Sequence, residues 1–506
     1  MKTFSIVGGV LETPIHKIRK ALKLEQSTAE SGHPVDNKET ASPWVRQTLV
    51  ALGPLILDIG LGMISGYSAI LLPQLQAEKN STIVIDDEQA SWIASMAALP
   101  MATGCILGGV LIEKIGRKHT HMLTCLPTLL GWLLIAFACN TRMILGGRFI
   151  TGLCVGILGA ATSVYIGETS KPKYRGFLLA GISFAVSLGL FLSHLLGTFL
   201  HWKTTALVCS IVPIISLLLM IFTPESPSWL AKKGQLTKAE KAFYWCRGYS
   251  DEAKKELAVM LEGYQDKEPN LKMQIRDFLV PEFLKPLGII TVYIIANQWA
   301  GVNAITFYTV SIMKKTVGEG VNEYLSMLIV DVIRVVMSIL ACILLRRLGR
   351  RPLAVVSGLG TFMSLFTLSV FTYLVTIYPA VSSMVYIPMT ALVIYISFIS
   401  IGFVPLPWAM IGEVFPLKTR SIGSGITSFL AFTAFFSVVK TSPAMFRDLG
   451  AEGSFLVYGL VAFFGTIFVW IYLPETKGKP LHEIEDQFKS KREIKCVNNN
   501  SIVPKE

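Results

Sequence analysis

Apolar residues fall in twelve long runs, at roughly 48–75, 91–112, 121–139, 144–166, 177–200, 205–223, 287–310, 322–345, 353–377, 386–410, 421–442 and 454–473. A helix needs about 20 mostly apolar residues to cross a bilayer, and each run approaches or exceeds that length. Helices are the expected state, because in lipid a backbone must satisfy its own hydrogen bonds and a barrel would show short alternating strands instead. Between runs six and seven lies a polar stretch, 224–286, in which 235–248 and 251–264 read as short amphipathic helices. The pattern predicts an all-α membrane protein with twelve transmembrane helices in two six-helix halves. The expected divisions are a tail at 1–45, a first half at 46–223, a helical insertion at 224–286, a second half at 287–473 and a tail at 474–506.

Composition agrees. Of 506 residues, 52% are hydrophobic and 16% charged, with a mean hydropathy of +0.55; soluble domains carry roughly 25% charged residues. An ordinary soluble enzyme is excluded. The eight cysteines include no close C-x-x-C pair, so neither a disulfide framework nor a metal site is indicated. The first 45 residues lack the apolar core of a cleavable signal, which leaves the first run as the insertion signal. Of the 46 Lys and Arg residues, 37 fall in the tails and in alternate loops, on one side of the twelve-helix topology. That asymmetry predicts cytoplasmic termini. The triplet Asn80-Ser81-Thr82 falls in the first outward loop, making Asn80 a candidate glycosylation site, whereas Asn499-Asn500-Ser501 lies in the inner tail.

The two halves echo one another. Gly116-Arg117-Lys118 recurs as Gly349-Arg350-Arg351, Glu168 with Arg175 seven residues on recurs as Glu413 with Arg420, and Pro224-Glu225-Ser226 recurs as Pro474-Glu475-Thr476. Every pair sits at equivalent helix ends. Repeated six-helix halves are an architecture of alternating-access carriers. Arg117, Glu168, Arg175, Glu225, Arg350, Glu413, Arg420 and Glu475 are therefore expected to pair between helices and hold the cytoplasmic side closed until the halves rock apart.

These motifs, with Gly147-Arg148-Phe149, Tyr165-Ile166-Gly167-Glu168, Asn297-Gln298-Trp299-Ala300-Gly301-Val302-Asn303 and Pro405-Leu406-Pro407-Trp408, resemble the sugar-porter family of the major facilitator superfamily over about 45–485. Within it, the run at 66–75 and Lys440 look most like the insect facilitated trehalose transporters. The resemblance implies a neutral sugar as substrate and a lipid bilayer as surroundings. No cofactor, nucleic acid or obligate protein partner is expected.

A sugar site needs neutral amides, hydroxyls and an aromatic wall. Run seven supplies Asn297, Gln298 and Asn303, followed by Phe307. Gln298 and Asn303 lie about 140° apart on a regular helix, so Gly301 must interrupt it for both to serve. The family's sugar-binding amides match these three residues, and its tryptophan beside the sugar matches Trp408, which follows the helix-breaking Pro405 and Pro407. Ser183, Ser400 and Ala431-Phe432 depart from the glutamine, the glutamate and the Asn-Trp pair common in glucose-facilitating relatives, and would enlarge the cavity.

Asp331 and Arg334 are three residues apart and are expected to pair on one helix face, the alternative being a cavity charge at Arg334, where relatives usually carry asparagine. Asp58 and Lys440 read as lone charges near an interface. Proton-driven relatives carry an aspartate after the first-helix Gly-Tyr; here Gly66-Tyr67 is followed by Ser68. The expectation is a facilitative carrier of trehalose or a hexose in the plasma membrane. The alternatives are proton-coupled symport, with Asp58 or Asp331 as the proton site, or a sugar sensor that has lost flux. The seven histidines are scattered in tails, loops and helix ends, so nothing suggests catalysis.

Overall fold

The structure is a computed structural model that describes residues 42–77, 83, 85–265, 278–317, 323–378, 384, 386–415, 419–477 and 487–488. The compact unit that begins at Pro43 contains every helix among them. In the first half these are α1 (Pro43–Ala77), α2 (Asp87–Ser95), α3 (Met101–Ile115), α4 (Arg117–Ala136), α5 (Thr141–Thr169), α6 (Pro172–Phe199), α7 (Trp202–Cys209) and α8 (Ile211–Ile221). The polar stretch holds α9 (Pro227–Lys232), α10 (Leu236–Arg247) and α11 (Asp251–Gln265). The second half comprises α12 (Pro281–Trp299), α13 (Val302–Val317), α14 (Glu323–Arg347), α15 (Arg350–Ile377) and α16 (Tyr386–Phe398). A π-helical turn, Ile399–Phe403, then leads to α17 (Pro405–Val414), α18 (Arg420–Asp448) and α19 (Gly450–Tyr472).

Eleven helical stretches among the described residues are long and apolar enough to cross a membrane. The remaining apolar run, 91–112, is present as α2 and α3, broken by the turn through Met96–Pro100 where Pro100 cannot donate a backbone hydrogen bond. The twelve runs read from the sequence are thus accounted for, with run two in two pieces.

Between membrane helices the hydrophobic effect offers little, and close packing of small residues takes its place. A Cβ on Gly62 would collide with the Val186 carbonyl, and one on Gly189 with that of Ile59, so α1 and α6 touch backbone to backbone. Gly104 and Gly156 do the same for α3 and α5. Between the halves, several polar contacts gather away from the repeated Glu–Arg motifs. Ser91 on α2 donates to the Lys440 carbonyl on α18 at 3.1 Å, and the Lys440 ammonium sits 3.9 Å from the centre of the Trp92 ring. Ala69 and Ile70 of α1 pack with Val310 and Met327 of α13 and α14 at the same end.

Candidate functional site

The repeated motifs build two clusters of matching geometry. In the first, Arg117 at the start of α4 meets Glu168 at the end of α5 at 2.8 Å, and Ser226 donates to the other Glu168 oxygen. Glu225 accepts from the backbone N–H groups of Arg117, Lys118 and Ser226 at 2.9, 3.1 and 2.8 Å. In the second, Arg350 meets Glu413 at 3.0 Å and Thr476 donates to Glu413 at 2.6 Å. Glu475 accepts from the backbone N–H groups of Arg350, Arg351 and Lys477 at 2.9, 3.2 and 3.0 Å. Partial burial pushes the Glu475 carboxyl up, but those three donors and the Arg350 guanidinium outweigh it and hold it below the usual carboxylate range.

Each cluster draws all its members from one half, whereas the sequence suggested a network that parts when the halves separate. Each joins helix ends within its own half. Arg175 is exposed and makes no ion pair among the described residues, and the Arg420 side chain lies outside them, as does Asn80.

The amide run is broken where Gly301 predicts. α12 stops at Trp299, α13 starts at Val302, and Gly301 takes φ +87°, with the Tyr458 ring 3.0 Å from where a Cβ would stand. Tyr395 caps the break by donating to the Ala300 carbonyl at 2.9 Å. The interruption turns Asn303 back onto Gln298, whose side-chain oxygen accepts from the Asn303 amide. Two groups that a regular helix would point apart thus form one amide pair.

Asn297 and Phe307 are placed differently from expectation. Asn297 is buried and donates to the Phe403 carbonyl at 2.7 Å, supplying a partner where the π-helical turn departs from regular hydrogen bonding. Phe307 is fully buried, edge-on to Phe435 at 5.5 Å. Both brace the site; neither offers a free surface. Trp408, by contrast, stays 38% exposed beside Phe432, their ring centres 5.8 Å apart. Phe432 also reaches toward the first half, where Gly159 leaves it space. Ser183 is exposed on α6, and Ser400 is half-buried in the π-helical turn.

The intramembrane charges overturn three expectations. Asp331 pairs with His194, Oδ2 to Nδ1 at 2.5 Å, while Arg334 donates to Thr306 at 3.0 Å; the two are not joined as their spacing suggested. His194, near the end of α6, is thus fully buried and partnered rather than an isolated histidine. Asp58 does not lie near an interface: it is 2% exposed and accepts from Thr162 at 3.2 Å, and the Thr162 oxygen in turn lies 3.1 Å from His121. Arg148, buried in α5, donates to the Ile64 carbonyl at 2.7 Å and to the Ser68 hydroxyl.

Residues 34–488 match the family model described as sugar (and other) transporter. The chain belongs to that family. Among its relatives are a facilitated trehalose transporter Tret1 of Drosophila pseudoobscura pseudoobscura, 34% identical over 475 residues, covering 92% of this chain and 54% of that protein. A facilitated trehalose transporter Tret1-2 homolog of Drosophila sechellia is 34% identical over 454 residues, covering 90% of this chain and 93% of that one. The chain spans about half the length of the first curated relatives it matches. Among solved structures, the proton:xylose symporter XylE bound to 6-bromo-6-deoxy-D-glucose superposes with a TM-score of 0.71 at 21% identity, over 88% of this chain and 99% of that one. An inward-open xylose transporter XylE from E. coli gives 0.71 at 20% identity, over 88% and 100%. Those likenesses establish the major facilitator fold.

Several residues at the site carry weak sequence signals. Tyr395 and Tyr458 look like ordinary packing aromatics until the Gly301 break sets them against it. His194 had a readable cue, an imidazole inside an apolar run, but its partner lies 137 residues away.

Proposed function

We propose that this chain is a facilitative carrier of trehalose or a hexose, moving a neutral sugar by rocking its two halves about a central site. The observation that carries the site is the amide pair Gln298–Asn303 gathered at the Gly301 break. Neutral donors and acceptors exchange hydrogen bonds with sugar hydroxyls without the desolvation that a charge imposes in a membrane. Trp408 and Phe432 supply the aromatic wall, and Ser183 and Ser400 leave room for a disaccharide. The names of the insect relatives favour trehalose.

Passive transport is favoured by Ser68. Where the proton-driven relatives carry an aspartate, this chain places a hydroxyl against Arg148, which has no proton to exchange near neutral pH. The two Arg–Glu clusters serve as the inner-end welds of the rocking bodies, with both termini cytoplasmic and the protein in the plasma membrane. The test is uptake kinetics in oocytes expressing the full chain. Gln298→Ala is expected to raise the KM for labelled trehalose at least about tenfold while surface expression survives; unchanged kinetics would remove the amide pair from the site.

A further inference from the structure

His194 on α6 belongs to the first half and Asp331 on α14 to the second, so their 2.5 Å contact is a bridge between the bodies that must rock. It lies toward the end remote from the Arg–Glu clusters, since His194 is near the close of α6 and Asp331 near the start of α14. Both side chains are shut away, 0% and 2% exposed. The other ring nitrogen of His194, Nε2, faces the Gly66 carbonyl on α1 at 3.0 Å.

Those partners fix the proton count. A carbonyl only accepts, so Nε2 carries a hydrogen. Nδ1 then faces a carboxylate oxygen, and that contact is a hydrogen bond only if one more proton lies between the two atoms. Either the imidazole is doubly protonated beside a carboxylate, or a neutral imidazole accepts from a carboxylic acid. The two forms contain the same number of protons. Removing one leaves a nitrogen lone pair against a carboxylate lone pair in a dry site, which an interior of low polarity penalises heavily. We propose that His194 and Asp331 form a proton-binding site between the halves, holding one proton while the outer side is closed and giving it up when that side opens.

Opening exposes both groups to water. Asp331 then has Arg334 three residues along its own helix as a substitute partner, the pairing that sequence spacing suggests. Arg334 can then pair with Asp331, and the exposed imidazole can release the shared proton to water. Wherever the open form has lost that proton and the closed form keeps it, acid favours the closed form and alkali the open one. Because the site is buried and faces the outer side, the proton returns to the side it came from. Transport is therefore tuned by outer pH without being driven by a gradient, consistent with the facilitative reading, on whose orientation this inference rests.

The helices packed around the pair bring other ionisable groups from their middle stretches: Arg334 and Cys342 on α14, Asp58 and Tyr67 on α1, Arg148 and Cys154 on α5, Tyr308 on α13 and Tyr395 on α16. All of these groups remain in every His194 variant, so a comparison with such a variant isolates the pair.

The test follows the outer opening directly, without any sugar. Spin labels are placed on the full chain at Phe137→Cys and Tyr378→Cys, exposed residues at the outer ends of α4 and α15, with Cys139 and Cys496 replaced by serine. Distance distributions are recorded in nanodiscs from pH 5.5 to 8.5. The ratio of open to closed is expected to rise with pH, by up to about tenfold per pH unit, the limit for one proton. In His194→Asn, and in His194→Gln as a second substitution, the slope should vanish. In Asp331→Asn, whose amide donates to Nδ1 without an added proton, the slope should vanish as well. Equilibrium exchange of labelled trehalose with equal pH on both sides should follow the same profile. A flat profile in the parent chain, or one that persists in both His194 variants, would overturn the proposal. Distances that respond while trehalose does not exchange would sustain the proton site and discard trehalose as the substrate.

Discussion

The two halves agree at one end and diverge in the middle. At the cluster end, Arg117, Glu168 and Glu225 find the same partners as Arg350, Glu413 and Glu475, down to three backbone N–H donors on each buried-end glutamate. Midway through the membrane, the first half keeps α1 and α5 as unbroken helices, while the second breaks run seven at Gly301 and winds run ten into a π-helical turn. Repetition therefore marks a contact set that both halves share, the tying of helix ends within each half. The breaks in runs seven and ten free polar groups that a continuous helix would occupy itself.

The sharpest way to break this contrast is to repair the irregular half. Gly301→Ala forces a side chain into a left-handed backbone and against the Tyr458 ring, costing about 1–2 kcal/mol from conformation alone. Trehalose uptake should fall at least about tenfold with surface expression retained. Normal uptake would show that the break does not matter.

A second substitution pair compares the clusters themselves. A Cβ on Gly116 or Gly349 would strike the facing glutamate, but only Gly116 has a positive φ, +97° against −67°. Gly116→Ala should thus destabilise the protein by about 1–2 kcal/mol more than Gly349→Ala, read as the difference in thermal unfolding. Equal losses would mean the two glycines serve only the close approach.

Removing the arginines should give a smaller split. The Arg117 side chain is 7% exposed and that of Arg350 18%, and an ion pair weakens as solvent reaches it. Arg117→Ala is expected to slow exchange several-fold, and Arg350→Ala somewhat less. Glu413→Ala should match Arg350→Ala, since each deletes the same contact. A normal exchange rate in all three would separate the clusters from transport.

The mildest effect is in acid. Because the folded-state Glu475 carboxyl is held below its ordinary value, its contribution is complete above about pH 4.3 and is lost as the pH falls toward the lower folded value. Thermal stability should be unaffected by this group between pH 5.5 and 8 and decline below about 4.5, with Glu475→Gln removing that part of the decline. A decline identical in the variant would assign it to other carboxylates.

Much of this was legible in the chain. The recurrence of Gly116-Arg117 and Gly349-Arg350 with their glutamates at equivalent helix ends predicts two equivalent ion clusters, although the seven-residue Glu–Arg offset does not itself give a pair in the first. Gly301 between Gln298 and Asn303 predicts the break. What spacing along one helix does not give is the choice among partners in space. Asp331 has Arg334 within reach on its own helix, yet burial places it against His194 on another, where a shared proton removes the need for a full charge. Asn297 reads as a free amide, but the turn at Phe403 opposite claims its donor. Asp58 looks like an interface charge until Thr162 is packed against it.

Concentration at equilibrium is the most direct measurement of passive sugar movement through this fold. The full chain, reconstituted in proteoliposomes with an inward proton gradient, is given labelled trehalose with and without a protonophore at one fixed outer pH. Saturable uptake that stops when inside and outside concentrations are equal, with or without the protonophore, is the predicted result. Accumulation above the outside concentration that collapses with the protonophore would contradict it, and would make the protein a proton-driven carrier despite Ser68.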